Sequence, residues 1–252
     1  MLKIRVMPTL LYRNVGLVKG ISFDSWRIVG SAMQAIKVYN MRAVDELIFL
    51  DISATRENRP PDFDLIDDLA DECFMPMTVG GGIRSVEDVR RLLQVGADKV
   101  AINTAAVENP SIIRTASNIF GAQCIVVSID VKKHVDCRYE VYTHAGQKPT
   151  GKDPVQFAKE VETLGAGEIL LTSIDRDGTM SGYDVELTRQ VCNAVSIPVI
   201  ASGGAGNYTH MAEVLRDGHA SAIAAASIFH FTQQTPLEAK SYLKDQGFWV
   251  RV

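Results

Sequence analysis

Residues 77–104 read MTVGGGIRSVEDVRRLLQVGADKVAINT, and this stretch decides the fold. A short apolar run, Met77–Val79, leads through three glycines into a segment whose apolar residues recur at helical spacing. Ser85 is a typical helix N-cap for that segment, and Gly96 is a typical stop. A second apolar run, Lys99–Asn103, follows directly. The stretch therefore predicts a strand, a helix and a second strand parallel to the first.

The same alternation fills the rest of the 252 residues, and near-continuous apolar strands are typical of a parallel sheet. Eight strand–helix units in a chain of this length predict a (β/α)8 TIM barrel, with a doubly wound sheet as the alternative on periodicity alone. We expect strands at residues 4–11, 46–51, 77–79, 99–103, 124–130, 169–173, 198–201 and 221–226. We expect helices at about 62–73, 85–96, 109–119, 153–165, 184–195, 207–217 and 237–245.

An internal repeat favours the closed barrel. Gly203 follows Gly81 by 122 residues (203 − 81 = 122), and Glu168 follows Glu46 by the same interval (168 − 46 = 122). A constant offset near half the chain length predicts one barrel domain over residues 1–252, built from two similar half-barrels. The polar segment at about 134–153 interrupts the pattern, and we interpret it as a hairpin or flap over one face.

The composition excludes several classes of function. Twenty-six Lys and Arg against 30 Asp and Glu give a net charge of −4, which offers no electrostatic footprint for nucleic acid. The apolar runs are shorter than the 18 or so residues of a spanning helix, and Lys3 and Arg5 make the N-terminus a poor signal peptide. The four cysteines and five histidines share no metal-ligand spacing. We therefore expect a cytoplasmic protein with no metal, no cofactor and neither nucleic acid nor membrane as partner.

Paired glycines after two predicted strands indicate where a ligand binds. Gly81-Gly82 and Gly203-Gly204 each lead into a predicted helix, and small residues let backbone N–H groups approach an anion there. Either pair alone could simply form a tight turn. Their duplication favours two phosphate sites, and hence a small molecule with a phosphate at each end.

Charged residues mark both ends of the predicted strands. Asp130 closes the fifth strand, where partial burial suits a general acid or base, although capping the next turn is an equal alternative. Four residues of alternating charge stand at strand beginnings: Arg5, Glu46, Lys99 and Glu168. They could close into a salt-bridged ring at the bottom of the barrel, or they could be solvated surface charges.

Four long blocks, residues 74–83, 96–110, 165–179 and 200–206, resemble the cyclase subunit of imidazole glycerol phosphate synthase. The resemblance covers nearly the whole chain. It implies a (β/α)8 barrel that forms a heterodimer with a glutaminase subunit. Ammonia from the glutaminase would pass through the barrel and join a bis-phosphorylated ribulosyl-formimino-aminoimidazole carboxamide ribonucleotide. The products would be imidazole glycerol phosphate and an aminoimidazole carboxamide ribonucleotide.

The resemblance also implies roles for individual residues. Asp130 matches one of two catalytic aspartates, and Lys19 matches a flexible first-loop lysine that contacts substrate. Asp98 matches a residue that faces the glutaminase. The ring residues Arg5, Glu46, Lys99 and Glu168 match a gate for ammonia. One phosphate site corresponds to Gly82, Asn103 and Thr104, and the other to Asp177, Gly178, Gly204, Ala226 and Ser227.

One departure from the family pattern bears directly on function. The second catalytic aspartate of the family ends the first strand in a pattern close to Cys-Leu-Asp-Val-Lys. Here residues 9–13 read TLLYR, so Leu11 stands in place of that aspartate. Leucine neither gives nor takes a proton, and the loss of one of two catalytic carboxylates predicts a rate lower by orders of magnitude.

This departure is similar to a sister branch of the family in bacterial surface-polysaccharide synthesis. There the barrel and its glutaminase supply ammonia to a separate ligase that amidates an N-acetylated nucleotide sugar. Our first hypothesis is therefore an ammonia-conducting subunit for sugar amidation, to an acetamidino sugar. The alternative is an active cyclase of histidine biosynthesis, and a third is the related sugar isomerase of the same pathway.

Overall fold

The computed structural model describes residues 3–14, 16–42 and 44–251. Eight parallel strands close into a barrel, which confirms the (β/α)8 TIM fold. In order around the barrel they are β1 (Arg5–Arg13), β4 (Leu47–Asp51), β5 (Met77–Gly80), β6 (Lys99–Ile102), β7 (Ile125–Lys133), β10 (Glu168–Ser173), β11 (Val199–Ser202) and β12 (Ala222–Ala225). Pairing of β12 with β1, through Arg5 opposite Ala222, closes the ring.

Helices surround the barrel and follow the strands in turn. They are α1 (Ala32–Asn40), α2 (Phe63–Glu72), α3 (Val86–Gln94), α4 (Thr104–Glu108), α5 (Ser111–Phe120), α6 (Pro154–Thr163), α7 (Val185–Cys192), α8 (Tyr208–Arg216), α9 (Ser227–Phe231) and α10 (Pro236–Asp245), with a 3-10 turn at Ala122–Cys124. Ser85 caps α3 in a capping box with Asp88, as the sequence predicts. Among the described residues, no helix has the length and apolarity that crossing a membrane requires.

Alternation along each strand divides the core in two. One set of side chains packs outward under the helices, and Val6 and Leu10 of β1 belong to it. The other set points into the barrel and forms a layer of apolar residues across its middle. We call this set the apolar layer: Met7, Ile48, Ala101, Val126, Leu170, Ile200, Ala222 and Ala224. The layer lies between the two mouths of the barrel, which therefore differ in chemical environment.

Two antiparallel hairpins rise from the carboxyl ends of the barrel strands. The first consists of β2 (Gly16–Ile21) and β3 (Asp24–Gly30), and β2 pairs with the end of β1. The second consists of β8 (Tyr139–Thr143) and the short β9 (Lys148–Pro149), and β8 pairs with the end of β7. Both hairpins therefore lie at the rim where the predicted site residues gather.

The hairpins change three expectations. β1 and β7 extend beyond the predicted ends at Leu11 and Asp130, because each strand continues far enough to pair with its hairpin. The segment predicted at 134–153 does form a hairpin, but the hairpin begins within β7. The first loop is a paired strand at Lys19 rather than an irregular loop. The predictions also omitted three helices, α1, α4 and α9.

Candidate functional site

A single pocket at the carboxyl ends of the strands collects the predicted substrate residues. Its lining includes Leu11, Lys19, Gly82, Asn103, Thr104, Asp130, Asp177, Gly178, Gly204, Ala226 and Ser227. These residues are far apart in sequence and meet because the carboxyl ends of all eight strands lie at one rim. The apolar layer forms the floor of this pocket, since Ala101 and Ala224 belong to both.

The first half of the chain contributes a glycine loop and the start of α4. Gly82 has a φ of +77°, and a Cβ there would lie 2.8 Å from the carbonyl oxygen of Arg59. Asn103 Nδ2 donates to the carbonyl oxygens of Ser128 and Tyr142, at 3.1 and 3.2 Å. These bonds fix the loop that leads into α4, whose first N–H groups have no partner within the helix. The arrangement offers backbone donors to an anion.

The second half repeats this geometry 122 residues later. Gly204 corresponds to Gly82 (204 − 82 = 122), has a φ of +110°, and a Cβ there would lie 2.1 Å from the carbonyl oxygen of Gly182. Ala226 directly precedes α9 as Asn103 directly precedes α4, so these two N-cap residues are 123 positions apart (226 − 103 = 123). The two loops face one pocket from opposite halves of the chain. A ligand with two anionic ends fits this duplication.

Lys19 and Asp177 form a buried ion pair beside the second of these loops, with Asp177 in the loop after β10. Lys19 Nζ lies 2.9 and 2.8 Å from the two carboxylate oxygens of Asp177, and Lys19 is 2% exposed. Burial raises the pKa of Asp177 above its ordinary value, and the Lys19 ammonium offsets part of that effect. The first hairpin is docked on the same loop, because Ser22 N donates to the carbonyl oxygen of Asp177 at 2.8 Å. Lys19 is therefore held over the pocket.

The carboxyl group of Asp130 is buried in the pocket. Among the described residues, no cation lies beside it. It is 8% exposed, and its nearest hydrogen-bond donor is Ser128 Oγ at 3.4 Å. Burial raises the pKa of Asp130 to about 7, and the nearby negative charge of Asp177 acts in the same direction. A carboxyl group that titrates near neutral pH can both donate and accept a proton there.

Leu11 occupies the end of β1 in the same pocket. It pairs in register with Leu50 of β4 and with Val18 of β2, and it is 8% exposed. Its apolar side chain is therefore well buried on the wall that would carry the second catalytic aspartate of the cyclase pattern. The pocket has no proton-transfer group at this strand end.

A second carboxylate, that of Asp51, lies on the neighbouring strand and forms an ion pair with Arg59. Asp51 accepts hydrogen bonds from the backbone N–H groups of Ser53 and Ala54, and its other oxygen lies 2.7 Å from Arg59 Nη1. The Arg59 guanidinium also donates to the first oxygen at 3.1 Å. This network holds the loop after β4 against Gly82, so we assign Asp51 a positioning role rather than proton transfer.

Sequence reasoning missed other lining residues, among them Thr9, Phe23 and Trp26. The aromatic pair comes from the first hairpin, which was not predicted. The charged residues Lys19 and Asp177 were both identified, but their pairing was not, since it depends on how the hairpin docks. Within the described ranges, no group of three or more His, Cys, Asp or Glu residues could hold a metal ion.

At the opposite mouth the four alternating charges form a closed ring. Arg5 Nη1 lies 2.9 Å from Glu46 Oε1 and 3.0 Å from Glu168 Oε1. Lys99 Nζ lies 3.0 Å from the same two oxygens. Each carboxylate thus contacts both cations, and the ring covers the lower side of the apolar layer.

The face around this ring exposes large apolar side chains. Met41 is 80% exposed, Phe74 is 82% exposed, and both lie in loops that lead into barrel strands. Asn40, which precedes Met41, is joined to the segment that contains Phe74, because its Oδ1 accepts from Phe74 N at 3.1 Å and its Nδ2 donates to the carbonyl oxygen of Glu72 at 2.7 Å. Asp98 is exposed at the same face, and its carboxylate accepts from Met77 N at 2.8 Å. Exposed apolar side chains grouped in this way are typical of a protein interface.

Comparison with known protein families identifies the barrel. A family model described as "Histidine biosynthesis protein" matches residues 5–235. The match includes both glycine loops, the ring and the pocket, and it ends just before α10.

Proposed function

The chain belongs to the histidine biosynthesis protein family, and within it we propose that this barrel receives ammonia from a glutaminase subunit and passes it to a separate ligase. The observation that carries the proposal is the combination of an intact four-charge ring at one mouth with Leu11 beside Asp130 at the other. The ring serves an ammonia pathway, whereas the single carboxyl group does not serve cyclisation. The barrel therefore keeps the conduit and has lost half of the acid–base chemistry.

The glutaminase is the occupant that we assign to the N-terminal face. Ammonia is released by glutaminases from an amide, and it is lost to water and protonated unless the two active sites are joined. A partner seated over the ring would bury Met41 and Phe74 and enclose the entrance. Asp98, exposed beside them, supplies a polar contact at the edge of this interface.

The acceptor that we propose is an N-acetylated nucleotide sugar bound by a sugar-amidating ligase, as in surface-polysaccharide synthesis. This step follows the resemblance to the sister branch and rests on Leu11. The two glycine loops support binding of a phosphorylated small molecule in the pocket of the barrel itself. Such a ligand would regulate the conduit rather than undergo cyclisation.

One observation favours the alternative, an active cyclase. Burial raises the pKa of Asp130 to about 7, and a carboxyl group with that pKa could serve as acid in one step and base in another. In that case Asp130 would perform both proton transfers, and Leu11 would be a substitution that the reaction tolerates.

Turnover of the bis-phosphorylated cyclase substrate distinguishes the two functions. We expect the purified chain, supplied with ammonium salt, to turn over this substrate orders of magnitude more slowly than a cyclase with both aspartates. Leu11→Asp restores a carboxyl group at the end of β1 and is expected to raise the rate. Leu11→Asn is the matched control, because asparagine has nearly the same shape as aspartate and has no titratable group.

Turnover by the unmodified chain at the rate of a two-aspartate cyclase would contradict the conduit proposal and establish the alternative. If Leu11→Asp is faster than both the unmodified chain and Leu11→Asn, the missing carboxyl group is the reason for the low rate. Addition of a purified sugar-amidating ligase with its nucleotide sugar then tests the acceptor directly.

A further inference from the structure

On four strands of the barrel, hydroxyl groups lie between the apolar layer and the rim of the pocket. Since side chains alternate along a strand, the residue two positions beyond a member of the apolar layer points inward one level higher. On four strands that residue bears a hydroxyl group. We call these four residues the hydroxyl tier: Thr9, Ser128, Thr172 and Ser202, which follow Met7, Val126, Leu170 and Ile200. All four line the pocket.

Thr9 is the unusual member of the tier. It is 8% exposed, and its Oγ1 is buried with no hydrogen-bond partner among the described residues. Ser128 Oγ, by comparison, donates to Asp130 at 3.4 Å. A buried hydroxyl without a partner lowers stability, and nearly all such groups in folded proteins are paired. Valine has the same shape and would avoid this cost, so the hydroxyl at position 9 needs a functional explanation.

The position of Thr9 suggests what the hydroxyl binds. Met7, two residues earlier on β1, belongs to the apolar layer, and Leu11, two residues later, lies at the rim. A molecule that rises through the apolar layer on this side of the barrel therefore meets Thr9 as its first polar group on β1. The group it meets can both donate and accept a hydrogen bond.

We propose that Thr9 is an ammonia-binding residue, whose hydroxyl receives ammonia as it leaves the apolar layer. This inference rests on the proposed function, because it assumes that ammonia takes the path above the ring. Ammonia has one lone pair and three N–H groups, so it can satisfy the hydroxyl in either direction. Cysteine stands at this place in the cyclase pattern, and a thiol is only a weak donor and acceptor. The stronger site is therefore a property of this chain.

Thermal unfolding of the isolated chain tests the site without any partner enzyme. The variants are Thr9→Val, which removes the hydroxyl, and Thr9→Ser, which keeps it. Each is melted in ammonium chloride and in sodium chloride of equal concentration at alkaline pH, where free ammonia is present. Thr115→Val is the matched control, since Thr115 is an exposed helical residue whose hydroxyl donates to the carbonyl oxygen of Ser111.

We expect ammonium chloride to raise the melting temperature of the unmodified chain and of Thr9→Ser above the value in sodium chloride. Thr9→Val should melt about 2–4 °C above the unmodified chain in sodium chloride, because the unpaired hydroxyl is gone. Its response to ammonium should require at least a tenfold higher concentration. Thr115→Val should respond as the unmodified chain does.

Two results would overturn the inference. One is a Thr9→Val variant that melts below the unmodified chain, which would mean that the hydroxyl is a structural group with a partner. The other is an ammonium response that is unchanged in Thr9→Val or missing from the unmodified chain. The proposed function fails separately, on the turnover and ligase assays, because the melting experiment uses neither glutaminase nor acceptor.

Discussion

The two mouths of the barrel differ in whether their charged groups have partners of opposite charge. At the N-terminal mouth, each of the four ring residues contacts two partners of opposite charge. At the C-terminal mouth, Asp130 is buried with no cation beside it among the described residues, and Thr9 has an unpaired hydroxyl. A buried carboxyl group without a counter-ion, or a buried hydroxyl without a hydrogen-bond partner, is a candidate for catalysis or ligand binding when it lines a pocket. We infer ligand recognition at the upper mouth, while the paired charges of the lower mouth surround the proposed entrance for ammonia.

The Lys19–Asp177 pair is an exception at the upper mouth, because each of its two charges has a partner of opposite charge there. Lys19→Met would leave Asp177 buried with no counter-ion, and we expect a loss of about 3–5 kcal/mol in the free energy of unfolding. Urea titration measures this loss. Lys19→Met combined with Asp177→Asn removes both charges and should recover most of it.

The matched control is Lys37→Met, which breaks an ion pair with Glu72 whose side chains are 55% and 44% exposed. That substitution should cost less than about 0.5 kcal/mol. If Lys19→Met were as mild as Lys37→Met, the upper pair would be solvated, and the first hairpin would not be held over the pocket in the way described.

Asp130, which has no counter-ion among the described residues, predicts an unusual dependence of the protein's stability on pH. Its pKa is raised to about 7 in the folded protein, against about 3.9 in an unfolded chain. At pH values between these two pKa values, Asp130 keeps its proton in the folded protein and releases it in the unfolded chain. Stability from this group is therefore fully present below about pH 4 and is lost as the pH rises to about 7.

Asp130→Asn is uncharged at every pH and removes this effect. We expect the difference in free energy of unfolding between Asp130→Asn and the unmodified chain to change by about 2–3 kcal/mol from pH 5 to pH 8, in favour of the variant at the higher pH. Urea titrations across this pH range measure the difference, and other titrating groups cancel from it. Parallel stability curves for the two proteins would show that Asp130 is ionised and solvated, and would weaken the contrast between the mouths.

The same contrast explains which features of the site the sequence could predict. The eight barrel strands were predicted to within a few residues, because burial on both faces leaves continuous apolar runs such as Cys124–Asp130. The site residues at strand ends, such as Asp130, follow from the strands, since parallel topology brings all carboxyl ends to one rim. The ring follows in the same way from charges at the strand beginnings.

The features that could not be predicted depend on docking between distant segments. The pairing of Lys19 with Asp177 requires the first hairpin to fold over the loop after β10, and neither residue indicates its partner in sequence. The Asp51–Arg59 network and the unpaired hydroxyl of Thr9 are likewise properties of tertiary packing. The short helices α4 and α9 were missed because five residues are too few for a helical pattern to emerge.

Apart from the control substitutions, the smallest expected effect on folding concerns the lower mouth, where each charge has more than one partner. After Lys99→Ala, both glutamates still contact Arg5, so we expect a loss of only about 1 kcal/mol in the free energy of unfolding.

The same substitution removes one side of the ring and opens the lower mouth to water. In the proposed complex with a glutaminase, the fraction of glutamine-derived ammonia that reaches the acceptor should therefore fall at least severalfold, with the remainder appearing in solution. Lys37→Ala, on the exposed pair with Glu72, should change neither quantity. Unchanged delivery by Lys99→Ala would mean that ammonia does not pass the ring, and the lower mouth would then be a structural closure only.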